Sequence, residues 1–332
     1  MNKPKVLLIA LKGAQPNVFP STFMERLEKT SEPLSPPLEA SEILSKPDLL
    51  HQTDYILGSW GMPTLDESLL HQMPNLKGVF YAAGSVKGFV TDAFWKKKIP
   101  LSAAAAANAV PVAEYTFAQI ILSLKRFWHY SVGLRDAQKY QNPHQCFGCY
   151  RTTVGLISLG MIGRLVLEKL KTLDLHVIAY DPFYPKDLAE KQGIELVSLD
   201  ELFERADVVS LHTPWLKETQ GLIQKSHFLK MKVDATFINT SRGAVVHEEG
   251  MIEALQERPD LWALLDVTHP EPPVENSPIY TLPNIILTPH IAGSVGLECV
   301  RMSDWMHDEL QRWLRGEKLV YEVTENQIAR MA

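Results

Sequence analysis

The sequence predicts an α/β protein built around parallel sheet. Two observations carry that reading. From Val154 onward short apolar runs alternate with helical patterns at the spacing of βαβ units. The runs themselves are continuously apolar, as strands covered on both faces require. A third observation, the 332-residue length, suits about two domains.

In the N-terminal third, Lys5 to Ala10, Asp54 to Gly58 and Lys77 to Ala82 read as strands, and Thr22 to Lys29 as a short helix. The proline-rich stretch Pro33 to Pro37 reads as a loop, because proline lacks the ladder donor and breaks helix interiors. Five alanines, Ala103 to Ala107, precede Asn108. Val112 to Trp128 then shows helical periodicity with no breaker after Pro111, and predicts one long, largely buried helix. Farther on, Val154 to Gly160 is a strand running into a glycine turn, and Gly163 to Leu173 a helix. His176 to Tyr180, Asp207 to Leu211, Ala235 to Asn239, Trp262 to Val267 and Asn284 to Leu287 follow as strands. Asp187 to Gln192, Asp200 to Arg205, Gln220 to Met231 and Glu248 to Arg258 are the helices between them. Gly296 to Arg315 is a final amphipathic helix.

Composition narrows the class. Hydrophobic residues are 45% and charged residues 22%, which excludes a disordered chain and a collagen-like repeat. A net charge of −6, from 33 basic and 39 acidic residues, gives no general attraction to nucleic acid or anionic membrane. Three cysteines cannot close a disulfide framework. The lone C-x-x-C of Cys146 and Cys149 lacks the second pair that a zinc site needs, so no metal is expected. The apolar run near the N-terminus, Val6 to Leu11, is too short for a signal sequence, and no stretch approaches the ~18 apolar residues of a membrane span. A cytoplasmic protein is expected.

The turn GLISLGMIG places Ser158, Gly160 and Gly163 where a dinucleotide-binding fingerprint has its three glycines. Gly160 lets backbone approach a pyrophosphate, and Gly163 lets the helix pack against the strand. The helix N-terminus offers free N–H groups to the phosphates. Ser158 departs from the pattern, since the first glycine makes the tight turn. Asp181, at the end of the next strand, suits both hydroxyls of an adenosine ribose and opposes a 2′-phosphate, which favours NAD over NADP.

Three later segments bring unusual polar residues to predicted strand ends: Arg242 in FINTSRG, Asp266 and Glu271 in LLDVTHPEPP, and His290 in LTPHIAG. Singly, each is an ordinary loop residue. Jointly, at the ends of parallel strands where ligands bind, they describe one chemistry. Arginine grips a carboxylate with two prongs, histidine moves a proton near neutral pH, and a carboxylate stabilises the imidazolium. With a hydride carrier the sum is reduction of a 2-keto acid.

In these residues and their order the chain resembles the D-isomer-specific 2-hydroxyacid dehydrogenase family over nearly its whole length. PNLKGVFYAAGS (Pro74 to Ser85), NAVPVAEYTFAQIILSLKR (Asn108 to Arg126), VGLISLGMIG, LHTPWLKETQGLI (Leu211 to Ile223), INTSRG, LDVTHPEP and LTPHIAG stand in family order. The resemblance implies two Rossmann-like domains with parallel sheets. A flavodoxin-like substrate domain would span 1–105, completed by 295–332, and a Rossmann NAD-binding domain would span 106–294. It implies that Arg242 holds the substrate carboxylate and polarises the carbonyl, that His290 is general acid in reduction and base in oxidation, and that Glu271 pairs with His290. Backbone amides of Gly84 and Ser85 would bind the substrate carboxylate, and those of Met161 and Ile162 the pyrophosphate. Asp181 would take the ribose. Thr213, Thr240 and Asp266 would line the nicotinamide half, Asp266 toward the carboxamide. A homodimer with the helix near Val112 at its interface is implied too.

The chain departs from relatives at Ser158, at Ser85 and Lys87 of the substrate loop, and through Tyr140 to Tyr150. Trp60 is a further candidate for the substrate cleft. A cofactor-sensing scaffold like the dehydrogenase-related corepressors is the alternative on the same fold; no docking extension is evident to favour it. Formate dehydrogenases resemble the family but typically carry glutamine beside the histidine, and Glu271 argues against that. NADPH is opposed by Asp181. The identity of the 2-hydroxy acid is not fixed by loop composition.

Overall fold

Alternation along single strands shows why both sheets are covered on two faces. The computed structural model describes residues 3–140 and 146–328. In β1 (Lys5–Ile9), Leu7 and Ile9 enter one apolar core while Val6 and Leu8 enter another. That is the period-2 signature of a strand with no solvent face.

The chain divides into two compact units. The first comprises the chain up to Asn108 and the segment from Ser294 onward. Its sheet has five parallel strands: β1, β2 (Glu32–Pro33), β3 (Tyr55–Gly58), β4 (Gly78–Tyr81) and β5 (Leu101–Ala103), in spatial order β2-β1-β3-β4-β5. The helix Glu298–Leu314 packs on one face through Cys299, Met302, Met306 and Leu310. Within it Glu309, 1% exposed, accepts hydrogen bonds from Ser102 Oγ and from the Val320 and Tyr321 N–H groups. A buried carboxylate is tolerated when so satisfied, and this one ties the tail to the sheet.

The second unit, Ala109–Gly293, holds seven parallel strands. They are β6 (Tyr150–Ile157), β7 (Asp174–Tyr180), β8 (Glu195–Leu196), β9 (Val208–Leu211), β10 (Thr236–Asn239), β11 (Trp262–Leu265) and β12 (Ile285–Leu287), in order β12-β11-β10-β9-β6-β7-β8. Ile157, Ile178, Val209, Phe237 and Ala263 fill one core, and Val154, Leu156, Ala179, Val208 and Ile238 the other. The chain runs outward from β6 through β7 to β8, then returns to β9 on the other side of β6. Strand order therefore reverses between β6 and β9, where such sheets open a crevice at the C-terminal strand ends.

Three sequence expectations need correction. Pro33 belongs to a two-residue edge strand and not to a loop: Glu32 and Leu34 donate to Pro4 and Val6 carbonyls, while the proline nitrogen faces outward. The single helix expected over Val112 to Trp128 is two, Ala105–Leu124 with Pro111 inside it and Phe127–Ala137. The alanine run supplies the early turns, and Arg126 breaks the chain direction at φ 51°. Its guanidinium is drawn inward to Asp234, at 2.6 and 2.9 Å. The helix expected over Gln220 to Met231 shrinks to Lys225–Lys230, because Gly221 takes φ 61° and Ile223 bridges to Val246. Of the atypical segment Tyr140 to Tyr150, residues 141–145 lie outside the described residues. Cys146, Cys149 and Cys299 are free thiols. Among the described residues no helix is long and apolar enough to cross a membrane.

Candidate active site

The phosphate-binding turn follows β6. Ser158 adopts φ 75°, a left-handed conformation that glycine takes freely and serine does not. The departure from the fingerprint is thus one of residue and not of backbone: the tight turn survives the substitution. Ser158 N–H donates to the Tyr180 carbonyl at 2.8 Å, and its Oγ lies 2.8 Å from Thr213 Oγ1 at the end of β9. These two hydroxyls join the strands at which the order reverses.

The helix Met161–Leu170 starts directly after the turn, with Gly160 as its N-cap and no side-chain cap. Its first N–H groups are orphan donors backed by the helix dipole. A Cβ placed on Gly160 would meet nothing within 4 Å, so the space above the turn is open. A Cβ on Gly163 would lie 2.2 Å from the Ser158 carbonyl oxygen, which only glycine permits. Met161 is half-exposed, and Ile162 packs against the core below. Asp181 accepts from Leu159 N–H at 2.8 Å and Phe183 N–H at 2.9 Å. One bond to each oxygen fixes the carboxylate and leaves lone pairs on both. An open glycine turn, uncapped amides and a fixed carboxylate fit a dinucleotide: Met161 and Ile162 amides for the pyrophosphate, Asp181 for the ribose.

The second cluster follows β10, β11 and β12. Asn239 ends β10 and shapes what comes after it. Its Oδ1 accepts from Ser241 N–H and Oγ, and its Nδ2 donates to the Arg242 carbonyl at 3.2 Å. Arg242 Nη1 donates to the Ser241 carbonyl at 2.6 Å. Among the described residues Arg242 forms no ion pair. Burial pulls its guanidinium below the ordinary arginine value, against the opposing pull of the Glu271 carboxylate. A largely desolvated cation with no ion-pair partner among the described residues is suited to bind an anion.

Past β12, His290 adopts φ 55° and its N–H donates to the Asp266 carbonyl at 3.0 Å. Its Nδ1 lies 2.6 Å from Glu271 Oε1. That bond leaves Nε2 as the ring nitrogen able to meet a substrate. Both side chains are nearly half exposed, as groups meeting a ligand must be. Asp266, 3% exposed, accepts from Thr288 Oγ1 at 2.6 Å, Ile291 N–H at 2.9 Å and Ala292 N–H at 2.9 Å. Both of its oxygens are engaged by the loop that carries His290, and the three bonds leave lone-pair capacity on Oδ2.

Residues 117–292 match the family model described as D-isomer specific 2-hydroxyacid dehydrogenase, NAD binding domain. The chain belongs to that family. Its cofactor is NAD. A D-3-phosphoglycerate dehydrogenase of Archaeoglobus fulgidus is 32% identical over 230 residues, covering 69% of this chain and 44% of the relative. One from Bacillus subtilis is 28% identical over 304 residues, covering 92% of this chain and 55% of the relative. The chain thus spans about half the length of these curated relatives. The NAD-complexed structure of a D-isomer specific 2-hydroxyacid dehydrogenase from Lactobacillus delbrueckii ssp. bulgaricus has the same fold. Its TM-score is 0.80 at 21% identity, covering 96% of this chain and 100% of that one.

Other predicted residues of this D-2-hydroxyacid dehydrogenase family member fall as follows. Thr240 is buried and its hydroxyl meets Thr116 Oγ1 at 2.9 Å. In the first unit, Gly84 and Ser85 follow the C-terminal end of β4 and are partly exposed, anchored by buried Val86. Lys87 is exposed, and the Trp60 indole is partly buried in both cores of that unit.

Three contributors escaped the sequence reading. A Cβ on Gly243 would sit 2.0 Å from the Thr268 carbonyl carbon. The Arg242 loop and the loop leading to Glu271 therefore touch backbone to backbone. His212 is buried, pairs with Ser210 Oγ through Nε2 at 3.0 Å and, among the described residues, has no partner at Nδ1; burial pushes it down to about 4. Asn239 shows a faint signal, a turn-forming residue at a strand end. Gly243 and His212 depend on contacts between distant segments.

Proposed function

We propose that this protein is an NAD-dependent D-2-hydroxyacid dehydrogenase that interconverts a 2-keto acid and a D-2-hydroxy acid. The observation that carries the reading is Arg242. It is a desolvated guanidinium with no ion-pair partner among the described residues, in the same unit as a 2.6 Å His290–Glu271 pair. Arg242 takes the substrate carboxylate and polarises the adjacent carbonyl. His290 Nε2 gives a proton to the carbonyl oxygen during reduction and removes it from the hydroxyl during oxidation. Glu271 holds Nδ1 and orients the ring so that Nε2 faces the substrate. Bound NADH supplies the hydride. Gly84 and Ser85 amides add donors to the substrate carboxylate.

In this reading the Ala109–Gly293 unit carries the cofactor residues Ser158, Gly160, Met161, Ile162, Gly163, Asp181, Thr213 and Thr240, with Asp266 fixing the His290 loop. The other unit supplies substrate contacts. The family resemblance further supports a homodimer and a cytoplasmic site of action. The D-3-phosphoglycerate dehydrogenases among its relatives put 3-phosphoglycerate among the substrates to try.

The test is NADH oxidation by purified protein over a panel of 2-keto acids, with Arg242→Ala as control. Arg242-dependent turnover of at least one keto acid supports the reading. NADH binding without turnover on any of them would favour the cofactor-sensing alternative.

A further inference from the structure

Trp215 is 44% exposed and joins neither apolar core of its unit. Its indole meets the His269 imidazole edge to face instead, with ring centroids 5.3 Å apart and planes at 65°. Both rings stand on pinned backbone. Trp215 lies in the turn after β9, where Thr219 Oγ1 donates to the Pro214 carbonyl at 2.6 Å and accepts from Leu216 N–H at 2.8 Å. His269 lies in the loop after β11. Its N–H donates to Glu248 Oε2 at 3.1 Å, at the start of the helix Glu248–Glu257. Just before it, Thr268 Oγ1 donates to the Pro270 carbonyl at 2.9 Å.

β10 stands between β9 and β11 in the sheet. The ring contact therefore joins the two loops on either side of the one that carries Arg242. His269 meets that middle loop as well, since a Cβ on Gly243 would lie 2.6 Å from the His269 nitrogen. Three loops thus converge on this residue. Two positions farther on is Glu271, whose Oε1 lies 2.6 Å from His290 Nδ1. Pro270, Pro272 and Pro273 around Glu271 offer no N–H donors, so backbone hydrogen bonding has little with which to hold this stretch. A side-chain contact just ahead of it supplies that hold.

We propose that Trp215 and His269 form an aromatic clasp that positions Glu271 against His290. They are positioning residues and act on the reaction only through that carboxylate. The proposal rests on the hydride-transfer reading above.

The experiment is steady-state kinetics with a keto acid that the wild type reduces, on Trp215→Ala, His269→Ala, the double variant and His269→Phe. An aromatic pair is worth a factor of about two to ten. Each alanine variant is expected to lower kcat by about three- to tenfold and to leave KM within about twofold, because the backbone contact at Gly243 remains. The double variant is expected to fall no further than either single one. His269→Phe keeps a ring against the indole and is expected to hold kcat within about twofold of wild type. In a Glu271→Ala background, His269→Ala is expected to cost nothing more. A contact that served stability alone would lower the urea midpoint and leave kcat unmoved. If the wild type turns over and the alanine variants keep its kcat, the proposal fails and the reading of the reaction stands. The same holds if His269→Ala costs as much without Glu271 as with it. If the wild type reduces no keto acid, both fail.

Discussion

Asp266 carries the most exacting prediction. Its carboxylate is 3% exposed and receives three hydrogen bonds, from Thr288 Oγ1, Ile291 N–H and Ala292 N–H, all within 2.9 Å. The two N–H groups belong to the residues that directly follow His290 in its loop. In Asp266→Ala the Thr288 hydroxyl keeps Tyr115 OH at 3.1 Å as a partner, but both amides are orphaned. An unsatisfied buried donor costs about 1–3 kcal/mol, so the variant should lose about 3–5 kcal/mol of stability. Asp266→Asn keeps one oxygen and sets an amide N–H against another, and should lose about 1–3 kcal/mol. The loosened loop displaces the imidazole, and misplacement by about 1 Å costs ~10²-fold in turnover. Urea unfolding followed by far-UV dichroism measures the first effect, and kcat at saturating NADH measures the second. A loss below about 1 kcal/mol, with kcat within twofold of wild type in the alanine variant, would refute the argument that this carboxylate holds the His290 loop.

Three other outcomes are expected. Gly243→Ala drives a methyl into the Thr268 backbone 2.0 Å away; neither strand end can yield, so stability should fall by about 3 kcal/mol and activity with it, and an unchanged melting temperature would show the contact to be dispensable. His212 stays neutral in the native state down to about pH 4, whereas the unfolded chain takes a proton near 6.5. The unfolded state thus binds more protons between those values, stability rises with pH across the window and is lost as pH falls through it, by at most about 3 kcal/mol. His129, His227 and His307, also lowered chiefly by burial, add the same sign. His212→Asn should therefore flatten the pH dependence of the urea midpoint, and an undiminished slope would assign it elsewhere. Asp181→Ala should narrow the preference for NADH over NADPH by about tenfold or more, since a 2′-phosphate no longer meets a carboxylate; an unchanged ratio of kcat/KM values would remove Asp181 from the ribose site.

Much of this was legible from residue type and order, and the exceptions have physical causes. β6, β7 and β9 to β12 announce themselves as apolar runs, most plainly β9, β10 and β11, whose residues are all buried; the two-residue β8, Glu195–Leu196, does not. Glu32–Pro33 does not, because a two-residue edge strand has no room for a pattern. Pro111 hid the start of Ala105–Leu124, since a proline ordinarily ends a helix, and the buried pairing of Arg126 with Asp234 that splits the next segment joins residues far apart in sequence. At the site, Arg242, Glu271 and His290 were visible as polar residues at strand ends. The use of Asp266 was not: its aspartate points at a loop some two dozen residues later, and only coordinates show which donors it meets. Gly243 belongs to the same class, as its requirement arises from backbone contact with Thr268. Ser158 shows the converse. The sequence marks it as a departure, whereas its φ of 75° shows the fingerprint geometry intact.

The measurement closest to the central claim is the single-turnover rate of His290→Ala with a keto acid that the wild type reduces, alongside its affinity for NADH. The account predicts a loss of about 10²–10⁴-fold in the rate of hydride transfer, with NADH affinity within twofold of wild type. A near-normal transfer rate would mean that His290 is not the proton donor, and that the His290–Glu271 pair serves some other purpose.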